Sequence, residues 1–473
     1  MGIGTLVDNI SRSAGQLADG VSETLFEPVI RLGVTGLSRS GKTVFVTSLV
    51  ANLLDRGRMP QLQAAQQGRI VAAFLQPQPN DIVPRFEYET HLAAMTGPNP
   101  FWPQSTRSIS QLRLSLKVAP SGLLSGFQNP KTIHIDIVDY PGEWLLDLPL
   151  MQQSYAEWSE SALELAQNPA RLAMAQEWLD QLHSVDPDAK LAEVQAQSLA
   201  KSFTRYLADS RAAGLSACAP GRFLLPGDLQ GSPALTFTPL PPGESPRGSL
   251  ARAFERRFEA YKSQVVKPFF QDHFSRIDRQ IVLVDTLSAI HNGPQAVEDL
   301  RGAMADILTC FKTGKNGIFS ALTGKSVERI LFAATKADHL HHSQHPALTS
   351  IMGALVRQAR DKAEYKGAET QALSIASLRA TVEEVHKVDG NDLNCVRGAL
   401  LDSGKQAAMF AGDLPSDPMQ LLKPAAEGAS RWLDGDFAVM AFRPAEITLK
   451  PGEGPPHIRL DKAAEFLIGD RLK

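Results

Sequence analysis

One octapeptide, Gly36-Leu37-Ser38-Arg39-Ser40-Gly41-Lys42-Thr43, limits what this chain can fold into more than any other stretch. It fits G-x-x-x-x-G-K-[ST], and its flanks give the pattern physical meaning. Val29 to Thr35 reads as a short β-strand and Val44 to Leu54 as a buried helix. Glycines at both ends let the loop wrap tightly, so that successive backbone N–H groups and the helix N-terminus point at one phosphate. Lys42 is then placed to reach the β- and γ-phosphates, and the Thr43 hydroxyl to bind Mg²⁺. The phosphate-binding set expected here is Gly36, Ser38, Arg39, Ser40, Gly41, Lys42, Thr43 and Val44.

Two later stretches fall in the order such a loop demands. Ser108 to Val118 and Ile133 to Val138 both alternate, which predicts an antiparallel pair, and the second strand runs into Asp139-Tyr140-Pro141-Gly142-Glu143. In this D-x-x-G arrangement Asp139 meets the Mg²⁺ shell, while the Gly142 N–H approaches the γ-phosphate because no Cβ blocks it. Further on, Ile330 to Ala334 reads as a buried parallel strand leading into Thr335-Lys336-Ala337-Asp338, an [NT]-K-x-D pattern. Asp338 can accept two hydrogen bonds from guanine, and the Lys336 stem can cover the base. The run Ala372 to Ala376 then leads to Ala376-Ser377-Leu378, whose backbone is placed by position alone to contact the base.

Composition bounds the setting. With 473 residues, 43% of them hydrophobic, the chain can bury a large core, and its length suits two to four domains. A balance of 48 basic against 51 acidic residues gives no field that would recruit nucleic acid. Cys218, Cys310 and Cys395 are odd in number and far apart, which argues for a reducing, cytoplasmic compartment and against a disulfide framework. There is no run of about eighteen apolar residues and no signal peptide pattern. Residues 1–28 carry apolar residues at helical spacing, an amphipathic segment expected to pack on the protein's own body, with peripheral contact at the inner membrane as the alternative.

The remaining chain divides around these motifs. Residues 56–106 are turn-rich and too long for a plain connection. From 148 to 277 the pattern is helical, broken by a Pro/Gly-rich loop at 220–246, and holds no chemical motif. The expected organisation is therefore residues 29–147 and 278–473 as two parts of one nucleotide-binding domain, with a helical insertion at 148–277 through which another protein is engaged. Past Thr381, strands are expected at Cys395–Leu401, Gln406–Ala411 and Phe437–Phe442, and a helix at Asp461–Leu467.

Hydrolysis needs a switch hydroxyl on Mg²⁺ and a group to place water. Thr106, just before the first strand of the antiparallel pair, is the hydroxyl expected, with Thr90 and Thr96 as rivals. Glu143 follows Gly142 where water would be polarised, at the cost of repulsion beside a triphosphate, so slow turnover is expected. Lys42, Glu143 and Thr106 form the catalytic set; Thr43, Thr106 and Asp139 the metal set. Arg39 and Arg107 are further sources of positive charge. Asp285 ends the strand Gln280–Thr286 without an assigned role. Four histidines between Asp338 and His345 invite a transition metal, but Pro346 places the helix start after them, leaving no preset face for ligands.

With these motifs, and with Trp144 and Val284-Asp285-Thr286-Leu287, the chain resembles the YcjX family of bacterial stress-associated, Ras-like GTP-binding proteins. The resemblance implies an α/β P-loop NTPase core of Ras-like type, a mixed and mostly parallel sheet flanked by helices with a helical inserted subdomain. It also implies GTP/GDP and Mg²⁺ as ligands and a switch role in a stress response. Two other readings stand beside it: a P-loop ATPase or kinase in which Thr335 to Asp338 is only a turn, and a slowly hydrolysing, nucleotide-stabilised scaffold acting through the insertion.

Overall fold

Strands with apolar residues on both faces can be buried only between two layers, and that is how the centre of this chain is built. The computed structural model describes residues 27–473 apart from 38, 105, 107, 122–128, 311–326, 366, 389 and 433–436. Residues 1–26 of the amphipathic segment, Ser38 and Arg107 lie outside the described residues. In β5 (Arg279–Val284) every residue is buried, and in β6 (Arg329–Ala334) all but the first. Ile281, Leu283, Leu331 and Ala333 point to one core, and Val282, Val284, Ile330 and Phe332 to the other.

The sheet has seven strands in the order β2-β3-β4-β1-β5-β6-β7. β1 (Val29–Gly36), β4 (Lys131–Asp139), β5, β6 and β7 (Glu369–Ser374) are parallel; β2 (Ile70–Gln76) and β3 (Ser110–Val118) form an antiparallel edge on β4. The fold is thus the mixed, mostly parallel α/β sheet expected. One layer holds α1 (Lys42–Leu54) and the C-terminal helix Leu460–Ile468. The other holds α8 (Pro294–Cys310), α9 (His345–Leu355) and a run of helices between β4 and β5: α3 (Tyr155–Ala166), α4 (Pro169–His183), α5 (Glu193–Ala212) and α6 (Leu250–Tyr261). Between α1 and α3 lies α2 (Tyr88–Thr96), and between β5 and α8 the short α7 (Thr286–His291).

Register collects the motifs. Val34 pairs with Asp139, Gly36 with Leu283, Val284 with Ala334, and Ala334 with Ser374, so the parallel strands all finish at one sheet edge. Ser110 pairs with Asp139, which brings the residues just before β3 to the same edge. Ligands of open α/β sheets bind outside such carboxyl ends.

Several sequence expectations are corrected. Residues 56–106 are not simply a turn-rich stretch; they contain β2 and α2. The strand expected at Phe437–Phe442 is absent, and of its described residues only Phe442 pairs, in a single bridge to Leu400. Conversely β8 (Val382–Val388) was not foreseen; it joins β9 (Asn391–Ala399) and β10 (Gln406–Met409) in a separate three-stranded sheet. Its sequence, Val-Glu-Glu-Val-His-Lys-Val, is mostly exposed and gives no alternation to read.

Candidate functional site

The loop between β1 and α1 is shaped by backbone conformation. Gly41 sits at φ +84° and Arg39 at φ +60°, both left-handed, so the chain turns sharply into α1. The first turn of α1 has no acidic residue and no side-chain cap, leaving its N–H groups and dipole free for an anion. Lys42 Nζ donates to the Gly36 carbonyl at 2.9 Å, which folds its cationic end back over the loop.

Three oxygen-bearing residues converge beside it. Thr43 Oγ1 is 3.3 Å from Thr106 Oγ1, and Thr106 Oγ1 donates to Asp139 Oδ2 at 2.7 Å. The rivals Thr90 and Thr96 lie in α2, where Thr96 Oγ1 bonds its own helix at Leu92. Asp139 Oδ1 is buried with no hydrogen-bond partner among the described residues. Burial pushes the Asp139 carboxyl up to about 6, against the nearby Lys42 charge and the Thr106 hydroxyl. A hard oxygen set with one orphaned carboxylate oxygen suits a magnesium ion.

The structure adds a second reason for glycine at position 142 beside the one its motif suggests. A Cβ there would lie 1.7 Å from the Gly36 carbonyl oxygen, so the segment after β4 touches the phosphate loop directly, whatever is bound. Glu143 is buried in this contact, and its carboxylate pairs with Arg211 of α5 at 3.2 Å. Arg211 escaped the sequence reading because no local pattern marks it; it lies 68 residues from Glu143.

The end of the site expected to take the base is assembled from four segments. Asp338 is buried, and its Oδ2 accepts from the Ala380 N–H at 2.8 Å while Thr381 Oγ1 donates to its carbonyl. Lys336 is held in the left-handed region at φ +58° and pairs with Asp285, which also caps α7 through Ser288 N–H. Asp285 thus gains a position: it anchors the Lys336 stem. The Ala337 N–H donates to Ile375 at 3.0 Å, docking this loop on the end of β7.

A cavity of about 660 Å³ joins the two ends. It is lined by Arg39 to Val44, Thr106, Glu143, Thr335, Lys336, Asp338 and Ala376 to Leu378, so most of the described residues expected from separate motifs share one site. Gly36, Asp139 and Gly142 do not line it, but Gly36 is bonded to Lys42, Asp139 to Thr106, and Gly142 packs on Gly36. Sequence reasoning missed Trp102 and Phe442, which close the far wall, Trp102 Nε1 donating to the Phe442 carbonyl at 2.7 Å. A second cavity of about 600 Å³ shares Arg39, Ser40, Glu143 and Asp285 and reaches α5 at Arg211.

The chain also matches known proteins over nearly its whole length. The model of the YcjX-like family, DUF463, matches residues 30–472. A protein of Escherichia coli strain K12, Ras-like GTPase YcjX, is 38% identical over 458 residues, covering 94% of this chain and 96% of its own. A protein of the same name from Shewanella oneidensis is 33% identical over 468 residues, covering 94% and 95%. Among the described residues no helix is long and apolar enough to cross a membrane.

Proposed function

This chain belongs to the YcjX-like family, and from that footing we propose that it binds guanine nucleotide and hydrolyses GTP to GDP and phosphate. The relatives' name, Ras-like GTPase, supports the class. The observation that carries the base assignment is Asp338: buried, aimed into the cavity, with one oxygen held by Ala380 N–H. A carboxylate fixed in that way favours a base that offers N–H donors.

In this reading the amides of Arg39 to Val44 and Lys42 hold the phosphates, while Thr335, Lys336, Asp338 and the Ala376–Leu378 backbone hold the base. Thr43, Thr106 and Asp139 would hold Mg²⁺, which neutralises phosphate charge when bound. Glu143 places the attacking water. Arg211 removes the repulsion a lone carboxylate would bring beside a triphosphate, and its grip on Glu143 restrains turnover to a slow rate. Because Gly142 and Glu143 touch the phosphate loop on one side and α5 on the other, nucleotide state is read out as movement of the helical segment. We assign that segment as the insertion that meets a protein partner, in a cytoplasmic protein serving a stress response, as the family resemblance implies.

Calorimetric titration with GDP and with ADP, each with Mg²⁺, tests the base assignment in wild type and in Asp338→Ala. Tight GDP and weak ADP binding are expected, with GDP affinity falling by at least about a hundredfold in the variant, since an unmatched polar pocket costs several kcal/mol. Equal binding of ADP, indifferent to Asp338, would move the chain to the ATPase class.

A further inference from the structure

The structure divides the four histidines between Asp338 and His345. His339 and His345 are buried, and His345 Nε2 donates to the Ala337 carbonyl at 2.8 Å. His341, half-buried, and His342, exposed, instead meet Glu383 of β8. His342 Nδ1 lies 2.7 Å from Glu383 Oε2, and His341 Nε2 lies 3.8 Å from the same oxygen. We propose that His341, His342 and Glu383 bind a divalent transition metal of the zinc class, and that the ion clamps the loop carrying Asp338 to the loop that enters β8.

The donor set fits that class of ion. Two imidazoles and one carboxylate are borderline ligands that favour Zn²⁺ over Mg²⁺ or Ca²⁺, with a fourth position left for water. All three ligand atoms lie within 4.8 Å of one another. Tetrahedral zinc with these ligands wants edges of about 3.3 Å, so the pairs need close or open only by side-chain rotation. The surroundings already orient the ligands. The Ser343 N–H donates to His341 Nδ1 at 3.4 Å, with Ser343 Oγ 2.9 Å from the same nitrogen, which fixes the ring with Nε2 facing Glu383; Nε2 gives up its proton when an ion binds. The His342 N–H, at 3.1 Å, and the Arg379 guanidinium, at 3.9 Å, both engage Glu383 Oε1, leaving Oε2 to the metal.

No preset face can be read along the chain because these four histidines lie in one loop; the third ligand comes from 41 residues further along. That same connection bears on Asp338. Residues 380–383 hold the 338–342 loop at two points, through Ala380 N–H and Thr381 Oγ1 at Asp338 and through Glu383 at His342. An ion at the outer point would restrain the inner one, where the buried carboxylate faces the cavity. The site needs no assumption about which nucleotide occupies that cavity, so its failure and that of the GTPase reading are separately visible.

Titration of the full-length, nucleotide-free protein with Zn²⁺ tests the site. One ion per chain is expected, with affinity falling at least about tenfold in the double variant His341→Ala/His342→Ala and in Glu383→Gln. Hydrogen exchange should slow on Zn²⁺ addition across 338–342 and 380–383 in wild type only. Substoichiometric binding, or binding unchanged in both variants, would overturn the site, and binding without slowed exchange would overturn the clamp. Should the variants not fold, Co²⁺ in wild type decides the matter: the intense visible absorption of a tetrahedral complex supports the site, and its absence removes it.

Discussion

At the residue scale, the chemistry of this protein rests on a few atoms whose surroundings leave them no alternative. Asp139 presents an orphaned oxygen beside two threonine hydroxyls, and Asp338 is fixed by a backbone amide from another loop. Gly142 is the clearest single point of failure. Its Cβ position coincides with the Gly36 carbonyl oxygen at 1.7 Å, and the atom that must yield is backbone of the phosphate loop. Gly142→Ala is expected to destabilise the protein by at least about 2–3 kcal/mol and to abolish nucleotide binding, because loop and switch segment cannot both keep their places. Chemical denaturation and calorimetry on the same sample check both effects; a variant of wild-type stability that binds GDP normally would show the contact to be dispensable.

At the element scale, the segment Gly142–Gln152 is where core and helical segment meet. Asp147 lies buried in it, accepting from Gly221 N–H at 2.6 Å and from the Tyr261 hydroxyl at 2.7 Å. Burial raises its carboxyl to about 7, outweighing those hydrogen bonds and the Arg222 charge. A carboxyl raised on folding binds more protons folded than unfolded. Its contribution to stability is therefore greatest below its ordinary value near 3.8 and is lost as pH rises through about 7. The nucleotide-free protein should thus lose about 2–4 kcal/mol from this group between about pH 4 and pH 7, and Asp147→Asn should flatten that part of the curve. Urea melts across this pH range, wild type against variant, give the difference directly. The neighbouring contact between Glu143 and Arg211 predicts a kinetic effect. Arg211→Ala should leave GDP binding within about twofold while raising single-turnover GTP hydrolysis by at least about tenfold, since it releases the water-placing carboxylate from the pair that restrains it. Unchanged hydrolysis would make the pair purely structural.

At the scale of the whole molecule, the two cavities and the packing between them decide which parts can report on ligand. Trp102 lines the larger cavity and is held by one bond to Phe442, whereas Trp144 is sealed under Arg222, 3.1 Å from its ring, and bonded to Leu225. Trp102 precedes Thr106 and Trp144 follows Gly142 by two residues, yet their environments differ. Nucleotide binding should change the emission of Trp102 strongly and that of Trp144 little; comparing Trp102→Phe with Trp144→Phe shows which one carries the signal. Much of this organisation was legible in the chain. A strand, a glycine loop and a helix specify one another locally, and the apolar runs of β5 and β6 could be satisfied only at the centre of a sheet, so the α/β core and the motif residues of its cavity followed from short-range pattern. β2 and β8 were not legible, because edge strands exposed to water need no alternation. Neither were Arg211, the place of Asp285, the wall formed by Trp102 and Phe442, or the meeting of His341 and His342 with Glu383. Those contacts join residues tens to hundreds of positions apart, and no local propensity records which distant side chain will arrive. The sequence by itself determined the phosphate loop, the core strands and the order of the motifs; the tertiary structure alone decided what surrounds Asp139, Glu143 and Asp338, because their partners are brought by packing rather than by neighbourhood in the chain.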